Sequence, residues 1–146
     1  MSVLEITPDR AKALLSEGSG HVYLDVRSAA EFEAGRPAGA WNIPLAEPNP
    51  ATGEWEFNRQ FLSTVESRFT RDARLIVGCQ SGGRSAQACE ILQAAGFVSA
   101  VNMTGGFGGV PGPGGRMIEP GWVTLGYPIE QGDAGERSFA SLSKPQ

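Results

Sequence analysis

The chain is predicted to fold as an α/β domain, a central parallel β-sheet of about five strands with helices on both faces. Three observations carry that prediction. Short, continuous apolar runs such as Val22-Tyr23-Leu24 and Leu75-Ile76-Val77 alternate with stretches of helical composition and spacing. Helix start and stop residues bracket those stretches. Finally, Cys79 stands just past one apolar run and is followed by Gly82-Gly83 and a helix start. That is the carboxyl end of a strand, where such folds bind ligands.

Taken in order, Val3 to Ile6 suits a short strand. Thr7 as N-cap, Pro8 at the first helical position and Asp9 in the first turn open a helix. Ala11, Leu14 and Leu15 form its apolar face, and Gly18 ends it. Val22 to Leu24 is a buried strand terminating at Asp25. Ser28-Ala29-Ala30-Glu31 is a capping box opening a short helix that Gly35 closes. Ala40 to Ile43 is a strand stopped by Pro44, followed by a loop through Pro48, Pro50 and Gly53. Phe57, Phe61, Leu62, Val65 and Phe69 recur at helical spacing, which predicts a helix from about Glu54 to Phe69. Leu75 to Val77 is the strand feeding Cys79, Ala86 to Ala95 a helix ended by Gly96, and Val98 to Asn102 a last strand.

Beyond that strand the composition changes. Seven of the eleven positions from Gly105 to Gly115 are glycine. This excludes a helix or a central strand and predicts a loop. Trp122, Leu125 and Ile129 are expected to return to the core, and Gly132 to Gln146 is polar enough for a loose tail. The expected organisation is one domain over 1–132, with a Gly/Pro-rich insertion at about 108–121, and a tail over 133–146.

Composition bounds the function. The 146 residues carry a net charge of −4, with 40% hydrophobic and 19% charged residues, as in a soluble globular domain. No Lys/Arg run suggests a nucleic-acid partner, and no apolar stretch reaches a membrane span. The N-terminus shows no basic region followed by an apolar run, so no secretory signal is expected. Cys79 and Cys89 are too few for a disulfide framework, and their separation across a turn and most of a helix argues against a mutual bridge. One histidine, His21, and the absence of paired Cys/His spacing make a metal site improbable, and no cofactor is expected. The expected setting is the cytoplasm.

The stretch Cys79-Gln80-Ser81-Gly82-Gly83-Arg84-Ser85 carries the chemistry. Its glycines let backbone amides turn inward, and the helix N-terminus adds partial positive charge at the same point. Such surroundings favour a thiolate. A tight strand-to-helix turn that merely contains a cysteine is the plainer alternative.

Further residues carry a family resemblance. Leu24-Asp25-Val26-Arg27, Glu31-Phe32, Gly35, Gly39-Ala40 and Asn42-Ile43-Pro44-Leu45 resemble the N-terminal signature of rhodanese-like sulfurtransferases. The Cys79 to Ser85 stretch, with Gly96-Phe97, Val101-Asn102 and Gly105-Gly106-Phe107, resembles that family's active loop and closing signature. The match runs from about Val3 to Ile129 and is closest to single-domain members. Two departures stand out: Arg36-Pro37 where members commonly place a histidine, and the stretch Gly108 to Gly121 intervening before Trp122.

The resemblance implies a sulfurtransferase. Cys79 attacks the sulfane sulfur of a donor such as thiosulfate and carries it as a persulfide to an acceptor: cyanide, a small thiol or a thiol protein. The amides of Gln80, Ser81, Gly82, Gly83, Arg84 and Ser85 form an anion cradle. Arg84 either attracts the donor or braces the loop against a carboxylate. Asp25 and Arg27 are supporting positions that either pair with each other, the favoured reading, or touch substrate. Arg36 and Arg116 lend charge to the rim or, more plainly, are solvated. Cys89 is expected as a small core residue and His21 as an exposed loop residue. The competing enzyme class is a cysteine-dependent phosphatase or arsenate reductase, which places one residue more between nucleophile and arginine than the four that separate Cys79 from Arg84. A non-catalytic rhodanese-like binding module ranks lower because Cys79 is present. The oligomeric state stays open.

Overall fold

The computed structural model describes residues 3–143. Its centre is a five-stranded parallel sheet built from β1 (Glu5–Ile6), β2 (Val22–Asp25), β4 (Trp41–Asn42), β7 (Leu75–Gly78) and β8 (Ala100–Met103). Their spatial order is β1-β8-β7-β2-β4. Leu24, Leu75 and Val77 face one core, which α3 (Phe61–Arg68) and α4 (Gly83–Ala94) cover through Phe61, Val65, Ala88 and Leu92. Tyr23, Ile76 and Met103 alternate to the other face, where α1 (Pro8–Ser16) and α2 (Ala29–Ala34) contribute Ala11 and Phe32. The sheet is therefore buried on both sides, which is why its strands are continuous apolar runs.

The two predicted caps form as expected. The Arg10 amide donates to Thr7 Oγ1 at 3.2 Å. The Glu31 amide donates to Ser28 Oγ and the Ser28 amide to Glu31 Oε1, each at 3.2 Å.

Several expectations are corrected. The helix predicted from Glu54 is α3 alone. Its apparent first turn is β6 (Trp55–Phe57), which pairs antiparallel with β5 (Ala46–Pro48). Asn58 ends that hairpin, its amide donating to Leu45 O and its Nδ2 to Pro44 O, both at 2.8 Å. Phe57 shares the spacing of Phe61, Val65 and Phe69 but is 56% exposed. The helix predicted from Ala86 instead begins at Gly83, inside the cysteine turn. Trp122 is buried, whereas Leu125 and Ile129 stay exposed.

The glycine-rich stretch turns at Gly105 to Gly109 and then forms a small hairpin of β9 (Val110–Pro111) and β10 (Met117–Glu119). β11 (Ile129–Glu130) pairs antiparallel with β3 (Arg36–Pro37). Where a loose tail was expected, Phe139 and Leu142 of the short helix α5 (Phe139–Leu142) pack on the main core, and Ala134 is buried. Lys144 to Gln146 lie outside the described residues. No helix among the described residues is long and apolar enough to cross a membrane.

Candidate active site

β7 delivers Cys79 to the carboxyl edge of the sheet, beside the neighbouring strand end at Asp25. Gly78 is required there, because a Cβ would lie 1.8 Å from the Tyr23 hydroxyl. Cys79 is only 2% exposed, while Gln80, Ser81 and Gly83 form an open crest above it. Gly82 takes a φ of +114°, in the left-handed region that glycine tolerates, and is the N-cap of α4. Its amide donates to Cys79 Sγ at 3.1 Å. Ser85 Oγ lies 3.3 Å from the same sulfur. The first helical amides carry no intrahelical partner and crowd this end of α4.

Arg84 is paired with a carboxylate. Its two terminal nitrogens grip the Glu31 carboxylate at 2.7 and 3.0 Å. Burial raises the Glu31 pKa, but the hydrogen bonds and charge of Arg84, with the Ser28 amide and hydroxyl, outweigh it and bring the carboxyl down to about 2. Arg84 is thus a brace. Glu31 was visible in the sequence as a capping residue, but its hold on the active loop was not.

Asp25 and Arg27 also pair. Arg27 Nε and Nη2 donate to the Asp25 carboxylate, the shortest contact being 2.7 Å, and both residues are buried. Arg27 Nη2 further donates to Gly35 O at 2.6 Å, and its guanidinium stacks on Phe107 at 4.6 Å. Nη1 reaches Gln80 Oε1 at 3.4 Å, so the pair supports the loop from the side. A groove of about 290 Å³ opens beside the loop, lined by Arg27, Glu31, Gly35, Gln80 and Phe107.

The glycine-rich segment packs directly on the loop backbone. The Phe107 amide donates to Cys79 O at 2.7 Å and the Gly108 amide to Gln80 O at 3.0 Å. Gly106 has a φ of +62°, and a Cβ on it would sit 2.5 Å from Cys79 O. Arg116, in the tip that joins β9 to β10, is exposed.

Arg36 is not solvated, contrary to expectation. It is 1% exposed, stacks on Phe32, and donates to Glu130 Oε1, Phe32 O and Gly132 O. His21 is half-buried, with Nδ1 2.6 Å from the Ser19 hydroxyl. Cys89 is a core residue whose thiol burial pushes up to about 12. Among the described residues no three His, Cys, Asp or Glu side chains converge to hold a metal ion.

A family model described as Rhodanese-like domain matches residues 7–110, spanning four of the five strands of the central sheet and the whole Cys79 loop. The chain belongs to the rhodanese-like family. Thiosulfate sulfurtransferase 18 of Arabidopsis thaliana is 40% identical over 107 residues, covering 72% of this chain and 76% of that protein. The human thiosulfate:glutathione sulfurtransferase is 33% identical over 96 residues, covering 66% of this chain and 83% of that one. Among solved structures, Rv0390 of M. tuberculosis superposes with a TM-score of 0.74 at 31% identity, covering 90% of this chain and all of its own. The rhodanese-like frame and relatives that bear sulfurtransferase names support a transferase.

Proposed function

We propose that this chain moves a sulfane sulfur from thiosulfate, or a related donor, to a thiophilic acceptor through a persulfide on Cys79. Loop size carries the choice between sulfur and phosphate: four residues separate Cys79 from Arg84, one fewer than in the phosphatase pattern. The Arg84 guanidinium holds Glu31 in a bidentate pair that fixes this short loop against α2. What the loop does offer is the Gly82 amide donating to one sulfur atom, with the Ser85 hydroxyl beside it.

In the first half-reaction, the Cys79 thiolate attacks the outer sulfur of thiosulfate. The S–S bond of the donor breaks and its electron pair leaves with sulfite, while the outer sulfur stays on Cys79 as a persulfide anion. In the second, an acceptor nucleophile takes that sulfur and returns the thiolate. The groove beside Gln80 and Phe107 is the entry route in this scheme. Cyanide, a small thiol and a thiol protein all satisfy the chemistry, and the name of the human relative supports a small thiol.

Incubation with thiosulfate, followed by intact and peptide mass, should show one added sulfur atom on the peptide holding Cys79. Cys79→Ser should stay folded by circular dichroism and lose both the added sulfur and transfer to cyanide. Phosphoester hydrolysis without sulfur loading would favour the phosphatase class instead.

A further inference from the structure

Ser85 has one hydroxyl proton and three neighbours competing for it. Its Oγ is 3.3 Å from Cys79 Sγ, 3.2 Å from Gly82 O and 2.5 Å from Asn102 Oδ1. The orientation of the Asn102 amide follows from its other end. Nδ2 faces the Glu5 carboxylate at 3.1 Å and Gly82 O at 3.4 Å. Both offer acceptor oxygens, so the amide nitrogen belongs there and the amide oxygen faces Ser85. Glu5 stands opposite Asn102 because β1 pairs with β8 in that register. Ser85 and Asn102 are buried, whereas Glu5 is exposed.

An amide oxygen is a stronger acceptor than a thiol sulfur, and Asn102 Oδ1 lies within hydrogen-bond reach of Ser85 Oγ, so Ser85 donates to Asn102 and turns a lone pair toward the sulfur. That arrangement suits a thiol, which donates its own S–H. It also suits a persulfide, whose negative charge lies on the outer sulfur. It does not suit a thiolate on Sγ, which needs a donor. When the acceptor removes the outer sulfur, the Cys79 S–S bond breaks and its electron pair stays on Sγ. The Ser85 hydroxyl can then rotate to donate there, with no proton changing owner.

We infer that Asn102, held in place by Glu5, is a positioning residue that sets the direction in which Ser85 donates, drawing its hydroxyl away from Cys79 until the thiolate forms. In its role during transfer this rests on the sulfurtransferase reading. The device keeps the free thiolate less stabilised, and therefore more nucleophilic, than an uncontested hydroxyl would leave it.

Alkylation of Cys79 by iodoacetamide tests the device without any sulfur donor. Rates are followed across pH in the full chain, with the site read by peptide mass. Asn102→Ala removes the strongest competitor and leaves Ser85 to divide its donation between the sulfur and Gly82 O. The rate profile should move to lower pH, with alkylation about threefold faster on its acid side and a lower alkaline plateau, since a stabilised thiolate is a weaker nucleophile. Glu5→Ala, at an exposed position, should produce a smaller shift in the same direction if Asn102→Ala fails to fold. Ser85→Ala should move the profile to higher pH.

The deciding comparison is in the Ser85→Ala background, where the effect of Asn102→Ala should be largely lost because the hydroxyl it acts through is gone, leaving only the 3.4 Å contact of Asn102 Nδ2 with Gly82 O. The other titratable groups facing Cys79 are Tyr23, Arg84 and Cys89; Asn102→Ala leaves the charges around all three in place, whereas Glu5→Ala also removes a carboxylate that acts on Cys89. Profiles that stay in place, move to higher pH, or shift equally without Ser85 would overturn the inference. Failure to load sulfur from thiosulfate, with this coupling intact, would instead remove the sulfurtransferase reading.

Discussion

Glu31 belongs to two structures at once. Its Oε1 accepts the Ser28 amide to close the cap of α2, and the same carboxylate holds Arg84 across 53 residues of chain. Because its folded pKa is about 2 against an ordinary 4.5, the carboxylate stabilises the fold fully above the unfolded value. That contribution is lost as pH falls from about 4.5 through about 2. Glu31→Gln should therefore flatten the acid limb of the stability curve in that window, measured by urea unfolding at stepped pH. A limb as steep as the parent's would show that the pair contributes nothing. The cap was legible in sequence because Ser28 and Glu31 are three residues apart. The grip on Arg84 was not, because no local pattern joins α2 to α4. Cys89, expected as a core residue, stays protonated at neutral pH because burial raises it to about 12.

At the scale of elements, the active loop is held between a strand, a helix and a glycine-rich turn. The strand and the turn approach it so closely that side chains are excluded. Gly106 makes the sharpest case: its φ is +62°, and an added Cβ would lie 2.5 Å from Cys79 O and 2.6 Å from the Gln80 carbonyl. These contacts are backbone, so they yield only if the loop itself moves. Gly106→Ala should cost about 2–4 kcal/mol of stability and depress sulfur transfer strongly, read by denaturant unfolding beside a cyanide assay. Retained stability with full transfer would mean that the turn does not hold the loop. The sequence showed a run of glycines but not what they approach. The β5–β6 hairpin was missed for a related reason. Phe57 continues the helical spacing of α3, but Asn58 ties the chain to Pro44 and Leu45, between β4 and β5, before a helix can start.

At the scale of the whole molecule, the C-terminal segment is part of the body. Arg137 donates to Ala40 O at 2.8 Å and to Glu130 at 2.6 Å, and Glu130 also accepts from buried Arg36. Phe139 and Leu142 cover the core flank formed with Trp41. Ending the chain at Gly132 removes those two partly buried side chains and should cost about 2–4 kcal/mol. The urea midpoint should fall accordingly, while Cys79 still loads sulfur. An unchanged midpoint would return the segment to a loose tail. Its polar composition hid this role, since Arg36 and Arg137 act there as structural donors rather than solvated charges.

By itself, the sequence determined the α/β class, the alternating strands and helices, and the place of Cys79 at a strand end before a helix. Those features are written in local periodicity and in caps of three or four residues. Tertiary structure decided what surrounds the sulfur: Arg84 turned to Glu31, Ser85 shared with Asn102, and Glu5 brought beside β8 from 97 residues away. The reason is the strand order β1-β8-β7-β2-β4. It makes neighbours of segments far apart in the chain, and a hydrogen bond depends on position in space rather than on separation along the sequence.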